Sequence, residues 1–321
     1  MKTKFKKPCG GCGKGIGGQA IVEGVMMKGK TEYVIAVRDV EKKTIKVEKT
    51  KTKPYDKRNK ILRLPLIRGV IAFVESLVVG MKVITRSAEL AGLEDITEDI
   101  KEEEMSKFEK WLTEKLGDKL TTVILTISVI ISIALSIGLF MVLPVLVSSF
   151  LNSFLNLGTW ALGIIEGFVR IAIFLFYIGL TSLIKDIKRL YQYHGAEHKT
   201  INCFEDGEEL TVENVRKYTR LHKRCGTSFL FLVMIISMIV FLFLRTDVVL
   251  YRILSRIIFV PIVAGLSYEV IKWAGKNDNI LVDIVSAPGK ASQLITTKEP
   301  DDEMIEVAIA SLKGVLEDEP E

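Results

Sequence analysis

From Thr121 to Leu155 the chain carries no charged side chain at all. Three further apolar blocks follow, at 160–184, 228–244 and 248–273, the third being the shortest. A helix that crosses a bilayer needs about 20 mostly apolar residues, and each block is near or above that length. Water-soluble domains do not normally make four such runs. The pattern therefore predicts a mainly α, polytopic membrane helical bundle of about four spans.

Charge sets the predicted orientation. Residues 1–60 hold seventeen Lys and Arg against six Asp and Glu, and the 185–227 connection holds nine Lys and Arg. The connection near Leu151 to Thr159 is uncharged, and the one around Arg245 to Asp247 has a single Arg. Lysine and arginine stay on the cytoplasmic side, which predicts N-in and C-in topology with small outer loops. No cleavable signal peptide is expected, because the start is lysine-rich without an apolar core. The basic N-terminal region suits anionic lipid headgroups. No nucleic-acid partner is expected, since no binding motif accompanies that charge.

Taken in order, the predicted organisation begins with a flexible basic Gly-rich arm, 1–17, and a small β-rich cytoplasmic unit, 18–60. In that unit Glu32 to Val40 and Thr44 to Thr50 read as strands around a turn at Glu41-Lys42-Lys43, with Ile45 and Val47 alternating with Lys46 and Glu48. So small a sheet needs something to pack on. Residues 61–120 come next, as an interfacial or re-entrant helix and an acidic linker. Arg68, Glu75 and Lys82 recur every seven residues there and share a helical face. The membrane domain covers 121–273, with its cytoplasmic loop at 185–227. The cytoplasmic C-terminal segment, 274–321, ends in a helix with apolar positions at Ile305, Ala308, Ile309, Leu312, Val315 and Leu316. Asp301 and Asp302 favour the N-terminus of that helix.

The chain has only three histidines. His194 and His198 are four residues apart, so on a helix both imidazoles reach one ion. Glu197 lies close to the same face, where a carboxylate can take a proton from an activated water. The order His-x-x-Glu-His occurs in one class of zinc hydrolases. His222 and Cys225, two more good zinc ligands, stand just before the third apolar block, and the predicted topology returns both pairs to one membrane face. Glu269, toward the cytoplasmic end of the fourth block, is the candidate additional ligand or orienting carboxylate. Cys9 and Cys12 form a lone Cys-x-x-Cys that carries little weight by itself. Gly13-Lys14-Gly15 lacks the Ser or Thr and the preceding strand of a phosphate loop. Charged residues inside the blocks, Glu166 with Arg170 and Arg252 with Arg256, are candidates for pairing or function, because intramembrane charge is costly.

Four stretches carry a family resemblance: Gly18 through Met27, Tyr193-His194-Gly195-Ala196-Glu197-His198-Lys199, His222 through Ser228, and Thr297 through Asp302. Together they resemble the YqhQ-like bacterial membrane proteins, a family of unknown function sometimes labelled metal-dependent enzymes. The likeness runs from about Gly17 to Leu312. It implies a bacterial plasma-membrane protein and a metal role for His194, Glu197, His198, His222 and Cys225. It implies no particular reaction.

The predicted function is an integral membrane protein with a zinc site at the cytoplasmic interface, acting as a metal-dependent hydrolase on a membrane-associated substrate. Two alternatives stay open. One is a non-enzymatic scaffold or partner platform whose structural zinc pins the second and third spans together. The other is a transporter using Glu166, Arg170 and Glu269 along a path.

Overall fold

The computed structural model describes residues 15–52, 62, 64–93, 120–222, 225–244, 246, 248–274, 277 and 280–317. The Cys9–Cys12 arm and the acidic stretch from Glu94 to Glu104 lie outside them. The described chain divides into two compact units. One holds residues up to Gly92, Tyr177–Val233 and everything from Pro261 onward; the other holds Leu93–Phe176 and Met234–Val260.

The first unit opens with a four-stranded antiparallel meander in the order β1 (Gly17–Ile21), β2 (Gly24–Lys28), β3 (Glu32–Arg38) and β4 (Ile45–Lys51). The last two strands are those expected from the alternating pattern. The first two come from a segment that was not assigned to strands. Its register, Ile21 opposite Gly24 and Gly17 opposite Lys28, makes a tight hairpin with Glu23 at φ 50°.

A sheet this small is marginal in isolation, and it is covered by the last helix of the chain. That helix, Asp302–Leu316, is capped by the Asp301 side chain, which accepts from the Met304 amide at 2.9 Å. Asp302 and Glu303 in its first turn suit the positive end of the helix dipole. Its apolar stripe, including Ile305, Ala308, Leu312 and Val315, joins Val25, Met27, Val34 and Ala36 in one buried core. Ser311 fastens the two layers, donating to the Val34 carbonyl at 2.9 Å and accepting from the Met27 amide at 3.1 Å.

Helix α1 (Ile67–Leu90) leaves Val74, Leu77, Val78, Met81 and Ile84 exposed along one side. One side of this helix is thus apolar and uncovered, where an interfacial or re-entrant helix was expected. It meets a later helix of the same unit at Gly69 and Gly265, where an added Cβ on Gly69 would fall 2.9 Å from the Gly265 Cα.

In the second unit α2 (Leu120–Ile137) continues through a π-helical turn, Gly138–Val142, into α3 (Leu143–Leu155). Proline 144 has no N–H to offer the Phe140 carbonyl four residues earlier. Arg170 Nε donates to that carbonyl at 3.1 Å. Helix α4 (Thr159–Thr181) follows, and α5 (Lys185–Glu205) and the short α6 (Val212–Arg216) belong to the first unit. Next come α7 (Gly226–Phe243), α8 (Val249–Ile258), α9 (Val260–Ala274), α10 (Ile280–Thr296) and the covering helix, α11.

Among the described residues two helices are long and apolar enough to cross a membrane, Thr126–Leu155 and Thr159–Thr181. The pair α8–α9 makes a third if taken as one span, bent by 47°. The break falls just before Pro261, whose missing N–H cannot continue the ladder. The apolar part of α7, Leu230–Phe243, is shorter. At 1.5 Å per residue it covers about 21 Å, less than the roughly 30 Å of a hydrocarbon core. Two or three membrane-length helices thus stand where four apolar blocks predicted four spans. The fold is mainly helical with a small N-terminal sheet, and two or three of its helices are consistent with a membrane protein by length and apolar composition.

Candidate metal centre

Helix α5 carries the Tyr193–Thr200 stretch. Asp186 occupies its first turn, and nearly everything from Tyr193 to Ile201 is buried. A helix so polar passes through a core only if each buried polar group has a partner. Gly195 is needed for the close approach of the chain after α10, since a Cβ there would collide with the Lys298 carbonyl. The Lys298 amide in turn donates to the Tyr191 carbonyl at 2.8 Å.

The two imidazoles are oriented in the same way. His194 Nδ1 donates to the Thr296 carbonyl at 2.9 Å, and His198 Nδ1 donates to the Arg220 carbonyl at 2.6 Å. A carbonyl can only accept, so each Nδ1 bears the proton and each Nε2 keeps its lone pair. Those lone pairs face Cys225. His194 Nε2 lies 3.1 Å from Cys225 Sγ, while His198 Nε2 is buried with no hydrogen-bond partner. One ligand atom from each of His194, His198 and Cys225 fits within 4.8 Å. Imidazole nitrogens backed by carbonyls, beside a thiol, are the donor set of a transition-metal site. An orphaned, buried Nε2 is what an ion there would satisfy. The residues present therefore fit a metal.

The other predicted residues divide. Glu197 is buried beside the group, with Oε2 3.9 Å from His194 Nε2. Burial raises its pKa above the ordinary carboxylate range, partly countered by His194 and His222. Burial likewise lowers the pKa of His198. The sheet closes over Glu197 at Gly18, where an added Cβ would fall 2.5 Å from Oε1. That contact gives a physical reason for the glycine that opens the Gly18–Met27 stretch.

His222 stands next to the group rather than in it. Its ring centroid is 5.7 Å from that of His198, and its Nε2 is 3.5 Å from Glu205 Oε2. The Gln293 side chain accepts from the His222 amide at 2.9 Å and donates to its carbonyl at 2.8 Å. Asn202 on α5 donates to the carbonyls of Thr219 and Leu221 at 2.8 and 3.1 Å. Neither Gln293 nor Asn202 could be singled out from sequence. Each is an ordinary amide until the fold brings a loop backbone to it.

Glu269 is placed elsewhere. Its carboxylate is engaged by the Arg68 guanidinium, with Nε donating at 2.6 Å and Nη2 completing a two-pronged pair. It is not one of the three residues gathered at the centre. Cys203, on the same helix as the histidines, packs in the core under α11.

Residues 64–318 match the family described as "Protein of unknown function (DUF1385)". The chain is also 37% identical over 301 residues to "Uncharacterized protein YqhQ" of Bacillus subtilis (strain 168), across 94% of this chain and 92% of that protein. No solved structure matches. The chain belongs to this YqhQ-like family, whose matching descriptions assign no activity.

Proposed function

We propose that the protein is a membrane-bound zinc hydrolase whose centre is His194, His198 and Cys225, with Glu197 as the proton-accepting group. One observation carries this reading: two carbonyl-backed imidazoles present their lone pairs to a thiol beside a buried carboxylate. Three protein ligands are the number found in catalytic zinc sites, which keep a position open, whereas structural sites use four. Zinc is favoured because nitrogen and sulfur donors together suit it. When bound, such an ion supplies Lewis-acid chemistry.

The chain's own residues divide the remaining work. His194 and His198 are held in one tautomer by backbone carbonyls. Glu197 accepts a proton from attacking water, and β1 at Gly18 limits water around that carboxylate. The substrate class follows from the setting: exposed apolar helix surfaces favour a lipid or the membrane-proximal part of a protein. The positive-inside pattern supports a centre on the cytoplasmic face of a bacterial plasma membrane. Basic residues of the N-terminal region would meet anionic headgroups there.

The test begins with the full-length protein purified in lipid nanodiscs and its metal content measured. About one zinc per chain is expected. Glu197→Gln should keep the metal and the fold and abolish hydrolysis of lipid or peptide ester probes. If Glu197→Gln hydrolyses like the parent, the catalytic reading fails. If, in addition, His222→Ala releases the metal, a closed four-ligand structural zinc replaces it.

A further inference from the structure

A second buried polar cluster lies wholly within the other unit, and its charges do not balance. Glu166 on α4 accepts four hydrogen bonds from three guanidinium groups. Arg170 Nη2 and Arg256 Nε donate to Oε1 at 3.1 and 2.9 Å, and Arg252 Nη2 and Arg256 Nη2 donate to Oε2 at 3.3 Å each. All four residues are only 2–6% exposed. Their other partners are neutral: the Phe140 and Leu244 carbonyls, the Ser148 and Ser237 hydroxyls, and the Phe241 ring, 4.3 Å from the Arg256 guanidinium. Three positive charges therefore face one negative charge among the described residues.

Buried charge without compensation is unfavourable, and within apolar helices it marks function by default. The expected resolution is an anion. Arg252 spends only Nη2 on protein acceptors; its Nε and Nη1 hydrogens have none among the described residues. Beside it is a small cleft, open at its mouth, lined by Glu166, Arg252, Arg256, Thr159, Thr246 and Gly163 among others. Its depth in the bilayer is indicated by the aromatic residues nearby. Trp160 and Phe243 meet edge to face at 6.4 Å and are largely exposed, as is Tyr251. Trp and Tyr favour the headgroup level of a membrane.

We infer that this cavity is an anion site that takes a phosphate group through Arg252 and Arg256, at the depth of lipid headgroups. Guanidinium forks match phosphate oxygens better than any other side chain, and Thr159 and Thr246 line the same space. The phosphate can belong to an anionic lipid or be free in solution. The inference is independent of the metal centre and of any hydrolase activity.

The experiment uses full-length protein in phosphatidylcholine nanodiscs, with thermal unfolding as the readout. One arm adds phosphatidylglycerol to the bilayer and the other adds inorganic phosphate, with sodium chloride at matched ionic strength as the control. A saturable rise in the unfolding midpoint of about 5 °C, at about 100-fold over the dissociation constant, is expected in one arm. A rise with phosphatidylglycerol alone assigns a lipid headgroup, and a rise with inorganic phosphate assigns the free anion. Arg252→Gln should abolish the rise, read against that variant's own midpoint in plain phosphatidylcholine. No rise in either arm, or an equal rise in Arg252→Gln, overturns the proposal. Because the parent protein alone supplies the first comparison, a poorly folding variant does not rescue the idea.

Discussion

The two buried polar clusters of this protein are opposites in what they lack. Around His194, His198 and Cys225 both imidazole N–H groups are already used, by backbone carbonyls, and the His198 Nε2 lone pair is left over. Around Glu166 the acceptors are used and N–H groups are left over. The first set asks for a cation and the second for an anion. Counting which partner type runs out is what separates them.

That contrast can be broken in four places. The largest effect belongs to Glu166→Gln, which leaves three buried guanidinium groups without their carboxylate. Removing one partner from a buried ionic group costs about 3–5 kcal/mol, to be read as lost stability in nanodisc unfolding. An effect below 1 kcal/mol, by contrast, would mean that water screens the cluster and that the charge imbalance is harmless.

At the other cluster, His198→Ala should strip the ion from the purified protein and with it the stability that binding confers. That is about 3–4 kcal/mol at metal levels 100 to 1,000 times the dissociation constant. Elemental analysis together with unfolding curves, with and without chelator, would show it. Chelation should leave the midpoint of His198→Ala where it was.

A smaller change is expected from Gly18→Ala. The added methyl enters the space of the Glu197 carboxylate, and such overpacking costs about 1–3 kcal/mol. Metal content should survive, because none of the three gathered residues is touched. Loss of metal in this variant would place Glu197 among the ligands.

The mildest test compares two thiols. Burial, reinforced by Glu208 and Asp206, pushes the Cys203 pKa up to about 11. Almost no thiolate is then present at pH 8, and Cys203 should stay unalkylated in the folded protein with or without metal. Cys225 should become modified only after chelation. Peptide mapping by mass spectrometry distinguishes the two, and rapid labelling of Cys203 would contradict its packing beneath α11.

Several parts of this arrangement were legible from residues alone. The spacing of His194, Glu197 and His198 needed only a helix to bring them to one face, and Cys225 was recognisable as a ligand type. The β3–β4 hairpin showed in the alternation of Ile45 and Val47 with lysine and glutamate. Strands β1 and β2 fall within the predicted β-rich unit but had no alternating pattern to place them, and Gly17, Gly18 and Gly24 are poor strand formers. Their strand character comes from pairing and from the core under α11. Glu269 was misplaced for a related reason. Its partner Arg68 is 201 positions away in the chain, and charge pairing at that separation leaves no local trace.

What the sequence determined by itself was whatever depends on short-range period and composition: apolar helices suited to a bilayer, and a two-histidine helix face with a carboxylate beside it. Only the tertiary structure decided which atoms those side chains present. The proton on each Nδ1 is fixed by carbonyls at Thr296 and Arg220, and the three arginines are gathered by one glutamate from helices far apart in the chain. The reason is physical. A side chain's identity sets what it can donate or accept, but its unused donor or acceptor is defined only by the neighbours that folding supplies.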